Sequence, residues 1–267
     1  MNELLLSEVT SDEKSLLQSL VLIEEFIFNQ SIEQPNDVFK SIIEQCSEAI
    51  EHLDEPLEKA EHLINELYVG HLLLDVQRRS WPVSSFQCQK SFEHRVIAPV
   101  LKAVVLCHII EACGFECDVV FVPEQLMVRI ECDETYSIIF DPVSGESLSW
   151  YELDNRLDEL EGDPSEYHLP SVETKTVVLE YLSTLKNALI KELMFDKALK
   201  CVDILLALRP NDPFERRDRG FLLHQLDCFK VAYDDYRYFV ENCPKDPAAQ
   251  LLKMQLDQIS LTETVLH

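Results

Sequence analysis

Between Glu93 and Cys113 the chain carries Val100, Leu101, Val104, Val105, Cys107, His108, Ile109 and Ile110, positions that wrap most of the circumference of a helix. Such a helix has no wet face wide enough for a surface position, so it predicts a buried central element with other structure packed around it. Gly114 follows where a left-handed residue commonly ends a helix. Three runs rich in Val, Ile and Phe come next, Cys117 to Val122, Leu126 to Cys132 and Tyr136 to Asp141, broken by Pro123-Glu124 and by Asp133-Glu134-Thr135. Short β-branched runs separated by turn residues predict an antiparallel meander lying on the central helix.

The chain before this unit is helical in pattern. Residues 12 to 30 place Leu16, Leu17, Leu20, Val21, Ile23, Phe26 and Ile27 mostly at helical spacing behind a Ser11-Asp12 start. Asn36 or Asp37 caps a second helix with Val38, Ile42, Ile43, Cys46 and Ile50 as its stripe. Pro56 opens a third, carrying Leu57, Ala60, Ile64, Leu67 and Tyr68. Gln77 to Ser91, with Trp81-Pro82, has no clear period and reads as an irregular connection. Beyond the strands, Pro142 and Ser144-Gly145 form a turn, residues 150 to 161 a short acidic helix, and Gly162-Asp163-Pro164-Ser165 a linker.

From Thr174 the signal becomes a repeat. A shift of 34 residues superposes Leu189 on Leu223, Phe195 on Phe229, Ala198 on Ala232, Pro210 on Pro244, Asp212 on Asp246 and Pro213 on Pro247. That period belongs to the tetratricopeptide repeat, a pair of antiparallel helices per unit. Gly220 and Ala232 are small where helices must approach closely. The domains expected are therefore 1–165, a helical front with the central helix and sheet, and 172–267, two repeats at about 179–212 and 213–246 plus a capping helix. Two repeats are fewer than an isolated array needs, so this array is expected to borrow a surface from the first domain.

Charge excludes several functions. The net charge is −26, and residues 1–80, 81–171 and 172–267 carry −12, −12 and −2. Binding to a phosphate backbone or to anionic lipid needs clustered Lys and Arg, so neither nucleic acid nor membrane is an expected partner. No apolar run is long enough to span a bilayer, and the start MNELLLSEVTSDEK has no signal-peptide pattern, so the expected location is the cytoplasm. The nine cysteines are scattered, an odd number, and often set among apolar neighbours, which reads as buried thiols rather than disulfides. Cys113, Cys117 and Cys132 lack a paired knuckle and a fourth zinc ligand. Only five glycines occur, none in a phosphate-binding loop. No cofactor or metal is expected, and acidic runs such as Asp158-Glu159-Glu161 read as solvated.

In Pro123-Glu124-Gln125-Leu126, in Phe140-Asp141-Pro142-Val143-Ser144-Gly145-Glu146-Ser147-Leu148 and in Arg209-Pro-Asn-Asp-Pro-Phe-Glu-Arg-Arg-Asp-Arg-Gly220, the chain resembles the SirB family of bacteria. The resemblance is to its transglutaminase-like branch with C-terminal tetratricopeptide repeats, covers nearly the full length, and brings with it an uncharacterised or invasion-regulator label. It implies an α+β fold, mostly helical, with a small antiparallel sheet followed by helical hairpins. Active transglutaminase-like enzymes place a cysteine at the start of the central helix, with a histidine and an aspartate on neighbouring strands, so that an imidazole activates the thiol and a carboxylate orients the imidazole. The family's helix start usually reads Arg-x-Gly-x-Pro-x-Ser-Leu. Here Arg95 and Pro99 match, while Ile97, Leu101 and Lys102 replace the glycine, serine and leucine. Val100 and Leu101 stand where the cysteine is needed and Gln125 where the histidine is, which leaves Asp141 alone. Cys107, about two turns (~9 Å) along the helix, reads as a core thiol, and His108 as a core or interface histidine.

The expectation is thus a non-enzymatic interaction or regulatory protein, a degenerate member of its class. The alternative is a hydrolase or acyltransferase with an unconventional nucleophile in the same cleft, and a third possibility is self-assembly. Arg216, Arg217 and Arg219 form the one notable basic cluster. Arg217, Phe221 and His224 are spaced to share a helix face, expected to be the concave one. There Arg217, with Asn187 of the preceding repeat, can receive an acidic group of a protein or peptide partner. The competing reading pairs these arginines with Asp212, Glu215, Asp218 or the acidic first domain.

Overall fold

In the computed structural model, residues 3–11, 14–31, 37–123, 125–158, 169–254 and 256 are described. The protein is α+β and mostly helical, and it divides into two compact units, Val9–Tyr181 and Met1–Glu8 with Leu182–His267. The boundary falls inside a helix; the expected linker at 162–165 lies outside the described residues.

In the first unit, α2 (Leu16–Phe28) starts on a capping box in which Ser15 and Gln18 bond each other's backbone. The start is Ser15, not Ser11-Asp12, because Gln18 supplies the reciprocal bond. Helices α3 (Asp37–Ile50) and α4 (Pro56–Asn65) follow, and α4 widens into a π-turn over Glu66–Gly70. Phe39, Ile42, Cys46, Ile50, Ala60, Leu63, Leu67 and Tyr68 are buried along them.

The segment read as irregular holds a 3-10 turn, Val83–Phe86, and a helix, α5 (Cys88–His94). The central helix is consequently shorter than expected: α6 runs Pro99–Ala112. The break is local chemistry, with Arg95 left-handed (φ 55°) and Ala98 held extended ahead of Pro99. Ten of the residues of α6 are buried, Lys102 among them. Gly114, at φ 95°, follows its end as expected.

Strands β1 (Glu116–Val122), β2 (Gln125–Glu131) and β3 (Ser137–Phe140) form an antiparallel meander, with Val119 opposite Val128 and Val128 opposite Phe140. Both faces are covered. The face that holds Cys117, Val119, Val128 and Phe140 lies on α6, while Val120, Val122, Met127 and Ile139 pack with Leu153 of α7 (Trp150–Asp158). This two-sided burial explains why Val119 and Val120 are both buried where a half-exposed strand would alternate.

The second unit includes all but the last residue of α1 (Glu3–Val9), which the sequence pattern did not reveal, and most of the repeat array. The repeats are α8 (Thr174–Lys191) with α9 (Phe195–Leu208), then α10 (Pro213–Gln225) with α11 (Phe229–Asn242), and residues 247–254 start one more helix. The 34-residue register is kept by the backbone as well: Leu193 and Asp227 sit at equivalent turns with φ 61° and 60°. At Gly220 a Cβ would lie 2.8 Å from the Tyr236 ring and 3.2 Å from the Ala232 carbonyl oxygen, so α10 and α11 require a residue without one.

Candidate functional site

The start of α6 is where a catalytic thiol would sit, and it is filled. Val100, Leu101 and Lys102 are 4, 2 and 2% exposed. The Lys102 ammonium donates to the carbonyl oxygens of Leu73 and Val143, the latter at 2.9 Å, and lies 5.0 Å from the centre of the Tyr68 ring. Burial lowers the Lys102 pKa to about 8 against the opposing pull of Asp75 and Asp141. Lys102 therefore ties two passing segments to the helix, a strap over residues 71–76 and the turn at 141–145. Tyr68 reinforces the turn by donating to the Pro142 carbonyl (2.8 Å), and Gly145, at φ 74°, packs on its ring. Arg95 fixes the strap from its other end through the His71 carbonyl (2.8 Å).

Gln125 and Asp141 are not brought together. Gln125 shares the sheet face of Met127, away from α6, and its Oε1 accepts from Arg156 of α7 at 3.2 Å. Asp141 caps its own turn by accepting from the Val143 amide (2.7 Å), and takes a long bond from Gln77 (3.5 Å). Neither faces a thiol.

The cysteines are free. Burial pushes Cys46 and Cys88 up to about 12 and raises Cys113, Cys117, Cys132 and Cys201 as well. Burial contributes most to the rise of the Cys117 thiol, and the neighbouring Cys107 thiol adds to it. His108 stacks edge-on to Phe39, and burial lowers its pKa. Among the described residues no group of three or more His, Cys, Asp or Glu is arranged to hold a metal. An open depression of about 1140 Å³ lies at the far end of α6, around Cys113 to Phe115, and is lined by Glu48, Glu51, Asp54, Glu116 and Glu131.

In the second unit the arginine cluster is neutralised internally. Arg219 forks onto Asp235 (both bonds 2.7 Å), Arg216 adds a 3.2 Å contact to the same carboxylate, and Asp235 is 1% exposed. Arg217 donates twice to Asp218 Oδ1 (2.8 and 3.0 Å) and packs on Phe214 and Phe239. The other Asp218 oxygen takes buried Lys186 at 2.7 Å, which also holds Glu215. The expected shared face also diverges: Phe221 turns to Phe195, His224 to Phe229 and Tyr236, while Asn187 and Phe221 stay exposed. Asp235 was missed because its partners are 16 and 19 residues away. Lys102 had a signal, as the one charged residue between Pro99 and Ile110.

A helix-backed three-stranded meander followed by helical hairpins defines a transglutaminase-like unit joined to a repeat array. Family models agree: the transglutaminase-like superfamily matches residues 36–183, and the tetratricopeptide repeat matches residues 185–257. The chain belongs to the transglutaminase-like superfamily, in its SirB-type branch with C-terminal repeats. A UPF0162 protein of Vibrio cholerae is 36% identical over 173 residues, 63% of this chain and 64% of that protein. Protein SirB1 of Salmonella typhimurium is 36% identical over 151 residues, 55% and 56% of the two chains. A UPF0162 protein of Pasteurella multocida is 30% identical over 213 residues, 77% and 79%. The matched region thus spans less than two thirds of the Vibrio and Salmonella relatives. No solved structure gives a significant match. Among the described residues no helix is long and apolar enough to cross a membrane.

Proposed function

We propose that this protein is a non-catalytic interaction or regulatory protein, in which the transglutaminase-like unit is a scaffold and the repeats contact a protein partner. The observation that carries this reading is the filled start of α6, where buried Val100, Leu101 and Lys102 offer no thiol and the lysine is committed to backbone carbonyls. The raised thiols support it, since a nucleophilic cysteine needs a stabilised thiolate. On the repeats, Arg217 is already satisfied by Asp218, so contact with a partner falls to exposed side chains such as Asn187, Phe214 and Phe221 rather than to a free guanidinium.

The test is alkylation of the folded protein with iodoacetamide, mapped by mass spectrometry. Cys228, the exposed thiol, is expected to label first, half-buried Cys113 and Cys117 more slowly, and buried Cys107 only on unfolding. Rapid labelling of Cys107 or Cys113, with a hydrolase or acyltransferase activity that disappears in the Cys→Ser variant, would overturn the reading in favour of an enzyme with an unconventional nucleophile.

A further inference from the structure

The strap that Lys102 anchors presents its apolar side chains to solvent. Leu72, Leu74 and Val76 are 67, 63 and 69% exposed, whereas Leu73 between them is buried. The segment leaves the preceding helical turn through left-handed Leu72 and turns only Leu73 fully inward, so its other large apolar side chains face outward where an ordinary surface segment would carry polar ones. Slippage does not account for it. The register is pinned by the Leu73 and Leu74 amides to the Leu67 and Tyr68 carbonyls (both 3.3 Å), by the Asp75 amide to the Val143 carbonyl (3.2 Å), and by Lys102 and Arg95. Leu72 is held at φ 55°, a conformation that a branched side chain adopts at a cost. The fold thus fixes three large apolar side chains in water, which marks an interaction surface rather than a packing accident.

Two further observations define what fits there. The backbone carbonyls of Leu72, Leu74 and Val76 accept no hydrogen bond among the described residues, which leaves acceptors at alternate positions for a chain laid alongside. The strap runs directly into Arg78 and Arg79, two of the five basic residues in the first 80. Arg78 stacks over Trp81 (5.4 Å) and meets Asp75 (2.8 Å), while exposed Arg79 forms no ion pair among the described residues.

The geometry points to the strap, Leu72 to Arg79, as a docking edge for an extended acidic peptide segment of a partner protein, with apolar residues at alternate positions and carboxylates that meet Arg79. This rests on the interaction role proposed above and moves its main contact onto the transglutaminase-like unit. Protruding apolar side chains at alternate positions give register, unpaired carbonyls take the peptide's N–H groups, and the arginine selects acidic sequences within a surface that otherwise repels them.

The test is selection of a displayed random-peptide library on the full-length protein, followed by fluorescence anisotropy of the enriched peptides. Peptides with alternating apolar residues and an excess of Asp and Glu are expected, bound at least tenfold more weakly by the Leu72→Ser/Leu74→Ser/Val76→Ser variant. Arg79→Glu is expected to weaken binding of acidic peptides alone. The replaced side chains are exposed, so the variants keep the wild-type thermal midpoint, which is checked first. The inference is overturned if nothing is enriched, if enriched peptides bind the triple-serine variant equally well, or if the variant loses binding only to phosphatidylglycerol vesicles, which would make the strap a membrane contact. Thiol labelling does not depend on the strap, so an enzymatic outcome there removes the interaction role, whereas failure here leaves that role standing on the repeats.

Discussion

Burial shifts the titration of Lys102 and Glu24 in ways that act on stability with opposite signs. In the folded protein the Lys102 ammonium is penalised, so its pKa falls from 10.5 to about 8. Between those values the folded chain carries fewer protons than the unfolded one, and stability rises with pH. At about 1.4 kcal/mol per pKa unit the rise is on the order of 3 kcal/mol. The raised thiols act in the opposite sense over the same range and are common to both chains, so the rise is expected as the difference between wild type and Lys102→Met in urea denaturation from pH 7 to 10. Glu24 runs the other way. Its Oε2 accepts from the Cys88 amide (2.8 Å), but burial still raises its pKa from 4.5 to about 7. The folded chain keeps that proton between the two values, so the contribution is full below pH 4.5 and is lost as pH rises through 7. Glu24→Gln keeps an acceptor for Cys88 and is expected to remove this slope, which the same denaturation series extended to pH 4.5 measures.

At the scale of elements, what could be read from the chain was whatever periodicity encodes. The near-continuous apolar helix, the meander and the 34-residue register all follow from side-chain spacing, and all are present. What spacing does not encode is where a backbone turns without Gly or Pro. Arg95, Leu193 and Asp227 adopt left-handed conformations that no residue type announced, and the first of these divides the expected central helix into α5 and α6. The strap escaped notice for a related reason, since an exposed Leu-Leu-Leu run looks like core until its register is known. At the candidate site, the replaced residues Val100 and Leu101 were legible, but the lysine that closes the gap depends on partners 29 and 41 residues away. The repeats carry a similar long-range device in Lys186, Glu215 and Asp218. Lys186→Met leaves Glu215 buried with only a 3.6 Å contact to Arg209, and should cost ~3–5 kcal/mol. Adding Glu215→Leu should restore much of that, because the penalty belongs to the unpaired charge rather than to the loss of attraction. Urea denaturation of the single and double variants measures the coupling.

At the scale of the whole molecule, the charge of −26 and the buried ion pairs respond differently to salt. The carboxylates that make up the excess are mostly at the surface, where repulsion between them is long-range and is screened once the Debye length falls to about 8 Å at 0.15 M. The pairs that hold the repeats together, Lys186 with Glu215 and Arg219 with Asp235, are 2.7–2.9 Å contacts onto carboxylates almost wholly out of water, and screening reaches them weakly. Surface repulsion therefore dominates the salt dependence even though the most visible ion pairs are attractive. The thermal midpoint of the full chain is expected to rise as NaCl is increased from ~10 to ~150 mM at neutral pH. A fall over the same range would mean that exposed attractive pairs, not the acidic excess, set the balance. The same excess repels acidic partners from most of the surface, so local reversals of sign such as Arg78-Arg79 carry more selectivity here than they would on a neutral protein.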